Sequence, residues 1–301
     1  MARQRQRKGM KPPVGIIGGS GLYDIEGMVQ TREIAVSTPF GRPSDVVVMG
    51  VLGGTPVAFL SRHGRGHRVN PTAINYRANL YALKSLGVQR VISVSAVGSM
   101  KEGIRPGDVV LPNQFIDMTK RRTSTFFEEG IVAHVAFAEP VCRSLSQALG
   151  RAAEAVGATT QRGGTYICIE GPQFSTKAES LLYRTWGVDV IGMTNMPEAK
   201  LAREAELCYA TVAFATDYDC WHETEECVTV EAILATLHRN VALAKDLLRK
   251  VIPDVGGPSS CVCNEALRNA IVTPHDRISA AAKRRLGLLI NRYIGTPTRG
   301  R

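Results

Sequence analysis

Short apolar runs ending in glycine, a small hydroxyl residue or an acid alternate with longer segments of helical periodicity from Val14 to Arg249. This alternation restricts the fold more than any other feature. Runs of this kind suit strands buried on both faces, and the intervening helices supply the cover. The expected strands are Val14–Gly18, Asp45–Val51, Val57–Leu60, Val88–Ala96, Asp108–Phe115, Tyr166–Ile169, Val188–Met193 and Tyr209–Thr216, with Gly53-Gly54 as a turn between the second and third.

Helices are expected where their punctuation stands. Asn70 and Pro71 open one that stops at Gly87, and another runs from about Glu139 to Val156. Thr176 and Glu179 have capping-box spacing and open a helix ending at Gly187; Asn195 and Glu198 open the next by the same logic. From Thr229 to Arg249 the positions of Val230, Ile233, Leu234, Leu237, Val241, Ala244, Leu247 and Leu248 follow one helical face. The fold class is therefore α/β, with one mixed central β-sheet flanked by helices in a single domain over residues 13–301. Residues 1–12 read as a basic disordered tail, and a terminal helical segment, periodic over His275–Tyr293, as spanning about 264–294. Catalytic groups are expected at the carboxyl ends of the strands.

With 301 residues, 44% of them hydrophobic, the chain has enough apolar material for a large core, and 21% charged residues argue against wholesale disorder. The net charge of +10 gathers partly in Arg3, Arg5, Arg7, Lys8 and Lys11 and in Lys283, Arg284 and Arg285. No aromatic residues interleave with either group, so no stacking platform for nucleic acid is visible, whereas a positive field suits anionic substrates. The sequence has no run of eighteen apolar residues to span a membrane. The first residues lack the apolar stretch of a secretory signal, and a disordered tail is favoured over a transit peptide. Seven cysteines without framework spacing point to a reducing compartment, hence the cytoplasm, and no set of four shows zinc-ligand spacing.

Five segments carry candidate chemistry. Gly18-Gly19-Ser20-Gly21 follows the first strand and suits close approach to an anion, although it has neither dinucleotide-fingerprint nor P-loop spacing. In Ser61-Arg62-His63-Gly64-Arg65-Gly66-His67, Arg62 offers a planar fork for phosphate and His63 a second donor. The glycines argue against a helix that would aim His63 and His67 at one metal ion. Ser95-Ala96-Val97-Gly98-Ser99 ends a strand with small and hydroxyl residues that can present amides and a hydroxyl. In Glu170-Gly171-Pro172-Gln173-Phe174-Ser175, Phe174 can stack on a base and Ser175 hydrogen-bond to it; the plainer alternative is a helix entry with Phe174 in the core. Thr216-Asp217-Tyr218-Asp219 sets two carboxylates against a buried strand end, where helix capping explains one acid better than two.

Together these segments resemble the 5′-methylthioadenosine phosphorylases of the trimeric purine nucleoside phosphorylase family. The likeness spans nearly all of Val14 to Arg249 and is carried by IIGGSGLYD, TPFGRPSD, LSRHGRGHRVNPTAINYRANL, YICIEGPQFSTKAES, WGVDVIGMTNMPEAKLAREAELCYA and FATDYDCWHETEE, in that order. It implies a nucleoside-phosphorylase-like fold and phosphorolysis of 5′-methylthioadenosine to adenine and 5-methylthioribose 1-phosphate, with adenosine as a compatible second substrate. It also implies a phosphate site of Ser20, Arg62, His63, Ser95, Ala96 and Thr194. Many relatives carry threonine at the positions matching Ser20 and Ser95. Met193 would lie under the ribose, and Phe174, Ser175, Asp217 and Asp219 would hold adenine, the two acids being the catalytic candidates. His67, Val230, Ile233 and Leu234 would line the pocket for the sulfur substituent, and His134 would reach it from the neighbouring subunit of a homotrimer. Inorganic phosphate would be a co-substrate, with no metal or organic cofactor and no nucleic-acid or membrane partner. Asp217 as a proton donor to the base needs a raised pKa, which burial or a neighbouring carboxylate supplies. The close alternative is a 6-oxopurine nucleoside or methylthioinosine phosphorylase, whose members typically carry Glu and Asn at the positions of Ser175 and Asp217. The remote one is a non-catalytic basic nucleic-acid-binding protein.

Overall fold

The computed structural model describes residues 12–19, 22, 27–222, 230–258 and 260–295, without the side chains of 230–235 and 237. Ser20, residues 1–11 of the basic tail, and the side chains of Val230, Ile233 and Leu234 thus lie outside the described part.

Among the described residues, eleven strands form one mixed sheet. They are β1 (Val14–Gly18), β2 (Val29–Ile34), β3 (Val47–Leu52), β4 (Thr55–Ser61), β5 (Arg90–Ser99), β6 (Val109–Leu111), β7 (Gln114–Asp117), β8 (Thr160–Arg162), β9 (Thr165–Cys168), β10 (Val190–Gly192) and β11 (Cys208–Asp217). The helices are α1 (Tyr76–Ser85), α2 (Arg143–Ala155), α3 (Lys177–Thr185), α4 (Glu198–Glu204), α5 (Val230–Val255) and α6 (Ala280–Ile294). None of the described helices is long and apolar enough to cross a membrane.

The sheet separates two cores, and the period-2 alternation of its strands supplies both. Ile17, Val91, Tyr209 and Ala213 pack toward α1, α4 and α6, through Leu80, Leu83, Leu201, Leu286 and Ile290. Their sequence neighbours Ile16, Ile92, Ala210 and Val212 pack the other way, toward Leu145 and Leu149 of α2 and Leu247, Leu248 and Ile252 of α5.

The expected elements shift where local chemistry overrides pattern. Pro112, which has no N–H to donate, separates β6 from β7 where one strand, Asp108–Phe115, was expected. Asn70 caps a single 3₁₀ turn at Pro71–Ala73; Asn75 then accepts the Ala78 amide at 3.1 Å and opens α1 itself. The Thr176–Glu179 capping box forms as expected, with both reciprocal bonds. α5 continues six residues beyond Arg249, because Val251, Ile252 and Val255 are buried. The terminal segment is a 3₁₀ turn at Val262–Glu265 and, after an irregular stretch, α6, capped by Ser279.

One feature of the topology places the site. β5 is the central strand, paired along its length with parallel β11. On its other edge β1 pairs with Arg90–Ser93, and antiparallel β10 pairs with Gly98 and Ser99. Between them, Val94–Val97 have no partner strand on that edge among the described residues. This opening lies at the carboxyl ends of β1, β4 and β11.

A candidate active site at the open edge of the central strand

A cavity of about 350 Å³ lies over the open edge, walled by segments that follow β1, β4, β9, β10 and β11 and by the α5 side chains Asn240, Val241 and Ala244. Its two ends differ in chemistry.

The first end is built around Arg62, which has no solvent exposure. Its Nε donates to Glu198 Oε2 at 3.0 Å, and Nη2 donates to Glu198 Oε1 at 3.2 Å, Ser93 Oγ at 2.6 Å and the Ile17 carbonyl at 3.3 Å. Nη1 donates to the Val94 carbonyl on the open edge of β5 at 2.9 Å. The planar fork expected for phosphate therefore grips Glu198, which is equally buried. Among the described residues these bonds leave one Nη1 hydrogen for a ligand. A Cβ on Gly19 would stand 4.0 Å from that nitrogen, so glycine keeps the approach open.

Successive residues in a strand turn their N–H and C=O to opposite edges, so Ala96, two residues beyond Val94, presents its amide to the same opening. Ser95 and Thr194 are buried beside it, with their hydroxyls 3.0 Å apart. His63 departs from expectation. Its Nδ1 lies 2.9 Å from the Val69 carbonyl, which can only accept, so Nδ1 carries the proton and Nε2 is bare in the neutral ring. Burial, followed by the charge of Arg62, pushes the His63 pKa down to about 4. The ring is thus an acceptor toward the cavity, where a donor was expected. His67, at φ 52°, stacks on it with ring centroids 4.3 Å apart and stands at the exposed rim.

The second end is made by an irregularity in β11. The register with β5 slips between Ala215 and Asp217, so that Asp217 lies opposite Gly98. Such a bulge re-aims the side chain that follows it. A Cβ on Gly98 would come within 2.9 Å of Asp217 Oδ1, so only glycine admits this arrangement. Asp217 Oδ2 accepts from Thr216 Oγ1 at 2.6 Å, and Oδ1 accepts from the Asp219 amide at 2.8 Å. Asp219 adopts φ 53°, a left-handed conformation that Asp tolerates, and its carboxylate accepts Ser175 Oγ at 2.8 and 3.0 Å. The two acids were expected to act on each other as adjacent carboxylates. Instead the Asp219 backbone binds Asp217, while the Asp219 carboxylate turns to Ser175. The helix-cap alternative for Asp217 gives way to a local turn of the Asx kind.

Phe174 is 59% exposed at the cavity mouth, which rules out the core alternative. Met193 lines the floor. His134 is exposed and away from this cavity; its amide donates to the Ala270 carbonyl at 2.8 Å.

Residues 13–253 match the model of the phosphorylase superfamily. The chain belongs to the phosphorylase superfamily. It is 58% identical to an S-methyl-5′-thioadenosine phosphorylase of Geobacter sulfurreducens, over 95% of this chain and 100% of that protein. It is 55% identical to one of Koribacter versatilis, over 97% and 100%. Among solved structures, a methylthioadenosine phosphorylase from an Antarctic soil metagenomic library superimposes with a TM-score of 0.90 at 47% identity, covering 94% of this chain and 100% of the other. The Schistosoma mansoni methylthioadenosine phosphorylase in complex with adenine gives 0.79 at 38%, covering 85% and 96%.

Two residues that hold this phosphorylase-superfamily site together are hidden in the sequence. Arg122 stands in the run Lys120-Arg121-Arg122, which looks like a solvated basic surface, yet its side chain is 1% exposed. Its Nη1 donates to the carbonyls of Met193 and Met196 at 2.7 and 2.6 Å, and its Nη2 to that of Glu170 at 2.5 Å, tying the segments after β9 and β10 to one cation. Glu170 faces it at 3.0 Å. Burial alone would raise the Glu170 pKa, but the amides of Lys120 and Arg121, the Thr72 hydroxyl and Arg122 hold it at about 2. Glu198 was expected as the partner of Asn195 in a capping box. That box does not form: Pro197 occupies the cap of α4, Asn195 bonds Thr211, and Glu198 turns inward to Arg62, Ser93 and Tyr209. A buried carboxylate beside a buried guanidinium is a tertiary event that local spacing does not encode.

Two outcomes follow. Glu198→Gln removes one charge of a fully buried pair, so stability in urea unfolding should fall by about 3–5 kcal/mol; wild-type stability contradicts the assignment. His63 should stay neutral in an NMR titration until pH approaches about 4. Because its folded pKa lies below the ordinary 6.5, its contribution to stability is complete above pH 6.5 and is lost as pH falls toward 4. An inflection of this ring near pH 6.5 in the folded protein contradicts its burial beside the Arg62 charge.

Proposed function

We propose that the chain cleaves the N-glycosidic bond of 5′-methylthioadenosine by phosphorolysis, giving adenine and 5-methylthioribose 1-phosphate. The observation that carries this reading is one cavity with a buried guanidinium, a strand amide and two hydroxyls at the open edge of β5, and the carboxylates of Asp217 and Asp219 with Ser175 at its other end. The names and ligands of the relatives support it.

In this reading phosphate sits against Ala96, Ser95, Thr194, the Arg62 Nη1 hydrogen, His63 and Ser20. A protonated phosphate oxygen suits the bare Nε2 of His63. Met193 lies under the ribose, and Phe174 stacks on adenine. The Asp219 carboxylate accepts from the adenine amino group, which a 6-oxopurine lacks. Protonated Asp217 donates to the imidazole-side nitrogen of the base. The bond from C1′ to the base breaks as a phosphate oxygen bonds C1′, and the departing electron pair is neutralised by the Asp217 proton. No step requires a metal or organic cofactor.

His67 and the segment of Val230, Ile233 and Leu234 receive the thioether, with adenosine as a second substrate. We further infer a homotrimer in which exposed His134 completes a neighbour's pocket, one phosphorylase domain over residues 13–301, no nucleic-acid or membrane partner, and a cytoplasmic location.

The test is release of the free base, adenine from methylthioadenosine and adenosine and hypoxanthine from inosine, with and without phosphate. Release should require phosphate and follow that order of preference. Asp217→Asn keeps the size and the turn but cannot deliver a proton, so turnover should fall by about 10²–10⁴-fold. Phosphate-independent release, or near-normal turnover of the Asn variant, contradicts the mechanism.

A further inference from the structure

Four cysteines from three separate segments of the chain meet at the end of β11 remote from the cavity. Cys142 precedes the first turn of α2, Cys208 is the first residue of β11, and Cys261 and Cys263 flank Val262 at the 3₁₀ turn. Their Sγ atoms all lie within 4.8 Å of one another, and three of the four residues are buried. Cys142 and Cys261 are 3.6 Å apart, Cys261 and Cys263 3.4 Å, and none of the four is bridged.

We propose that Cys142, Cys208, Cys261 and Cys263 form a tetrathiolate site for one soft divalent d¹⁰ cation, zinc. Metal–sulfur bonds of about 2.3 Å in a tetrahedron set the sulfurs about 3.8 Å apart, so the measured separations need shifts of a few tenths of an ångström up to about 1 Å. A disulfide at about 2.05 Å requires each measured pair to close by more than 1 Å, and it needs proximity only pairwise, whereas here every sulfur is near every other. Linear spacing gave no zinc motif because two of the ligands come from separate elements and the other two are a single residue apart.

The surroundings suit a dianionic centre. Cys142 stands at the amino end of a thirteen-residue helix, with Ser144 Oγ 3.3 Å from its sulfur. Lys84 is within electrostatic reach of Cys208. Arg90, opposite Cys208 in the β5–β11 register, donates to the carbonyls of Gly257 and Pro258 at 2.6 and 3.0 Å. On binding, the four sulfurs give up the protons they carry and four metal–sulfur bonds form, with no change of oxidation state. The ion would fasten the segment after α5 to the sheet and to α2. With β11 rising about 3.3 Å per residue, it stands roughly 30 Å from Asp217, too far to join the chemistry.

The test uses the full chain purified under reducing conditions without chelator, with elemental analysis and replacement by cobalt(II). The expected result is one zinc per chain and the visible and charge-transfer bands of tetrahedral cobalt thiolate. Four thiols should be shielded from alkylation until a chelator is added, and Cys142→Ser and Cys263→Ser should each lose most of the metal with little change in kcat. Should those variants fail to fold, the cobalt spectrum of the wild-type chain decides alone. Freely alkylated thiols, cobalt bound without thiolate bands, or an intact mass showing two disulfides and no metal would each overturn the site.

Discussion

Arg62 carries a positive charge into a place without water, and much of the surrounding architecture serves to make that tolerable. Desolvating such an ion costs several kcal/mol, which a partner offsets only if nearly every polar hydrogen and lone pair is satisfied. Here the partners arrive from five strands and helices: the guanidinium from the end of β4, the carboxylate from α4, a hydroxyl and a carbonyl from β5, a carbonyl from β1, and the Tyr209 hydroxyl from β11. A lysine has no second arm for Glu198 and could not span these positions. The pair stands where a neighbouring strand would otherwise close the edge of β5, so it holds open the gap over which this end of the cavity is formed.

The end at Asp217 and Asp219 follows a different principle. Its acids are not buried as an ion pair; they are positioned by backbone amides, hydroxyls and a bulge, and remain accessible to a ligand. The first end is fixed before any ligand arrives, through bonds that a ligand need not disturb. The second has groups whose present hydrogen-bond partners, Thr216 and Ser175, can be shared with a ligand. Arg122 links the two, because the carbonyls it holds belong to the segments that carry Met193 on one side and lead to Phe174 and Ser175 on the other.

Features governed by neighbours in sequence were legible. The buried strands, the Gly53-Gly54 hairpin, the Thr176 capping box and the helical face of α5 each follow from side chains a few residues apart. β2 and β8 were not, because their solvent-facing residues break the apolar alternation expected of a strand. The motifs located the cavity walls, yet the roles within them depended on partners from distant segments. Nothing local says that Glu198 faces Arg62 rather than Asn195, that Val69 sets the tautomer of His63, or that the third residue of a basic run is buried. The orientation of the Asp217–Asp219 pair was hidden for the same reason: the bulge arises from pairing with β5, not from the four residues themselves.

That bulge removes a degree of freedom. One slip in register sets the direction of Asp217, and the turn that follows sets Asp219, with Gly98 leaving no room for an alternative. The directions of the two carboxylates are consequently geared to a single backbone irregularity. A change that reshapes it moves both acids at once, so neither can be re-aimed while the other stays in place.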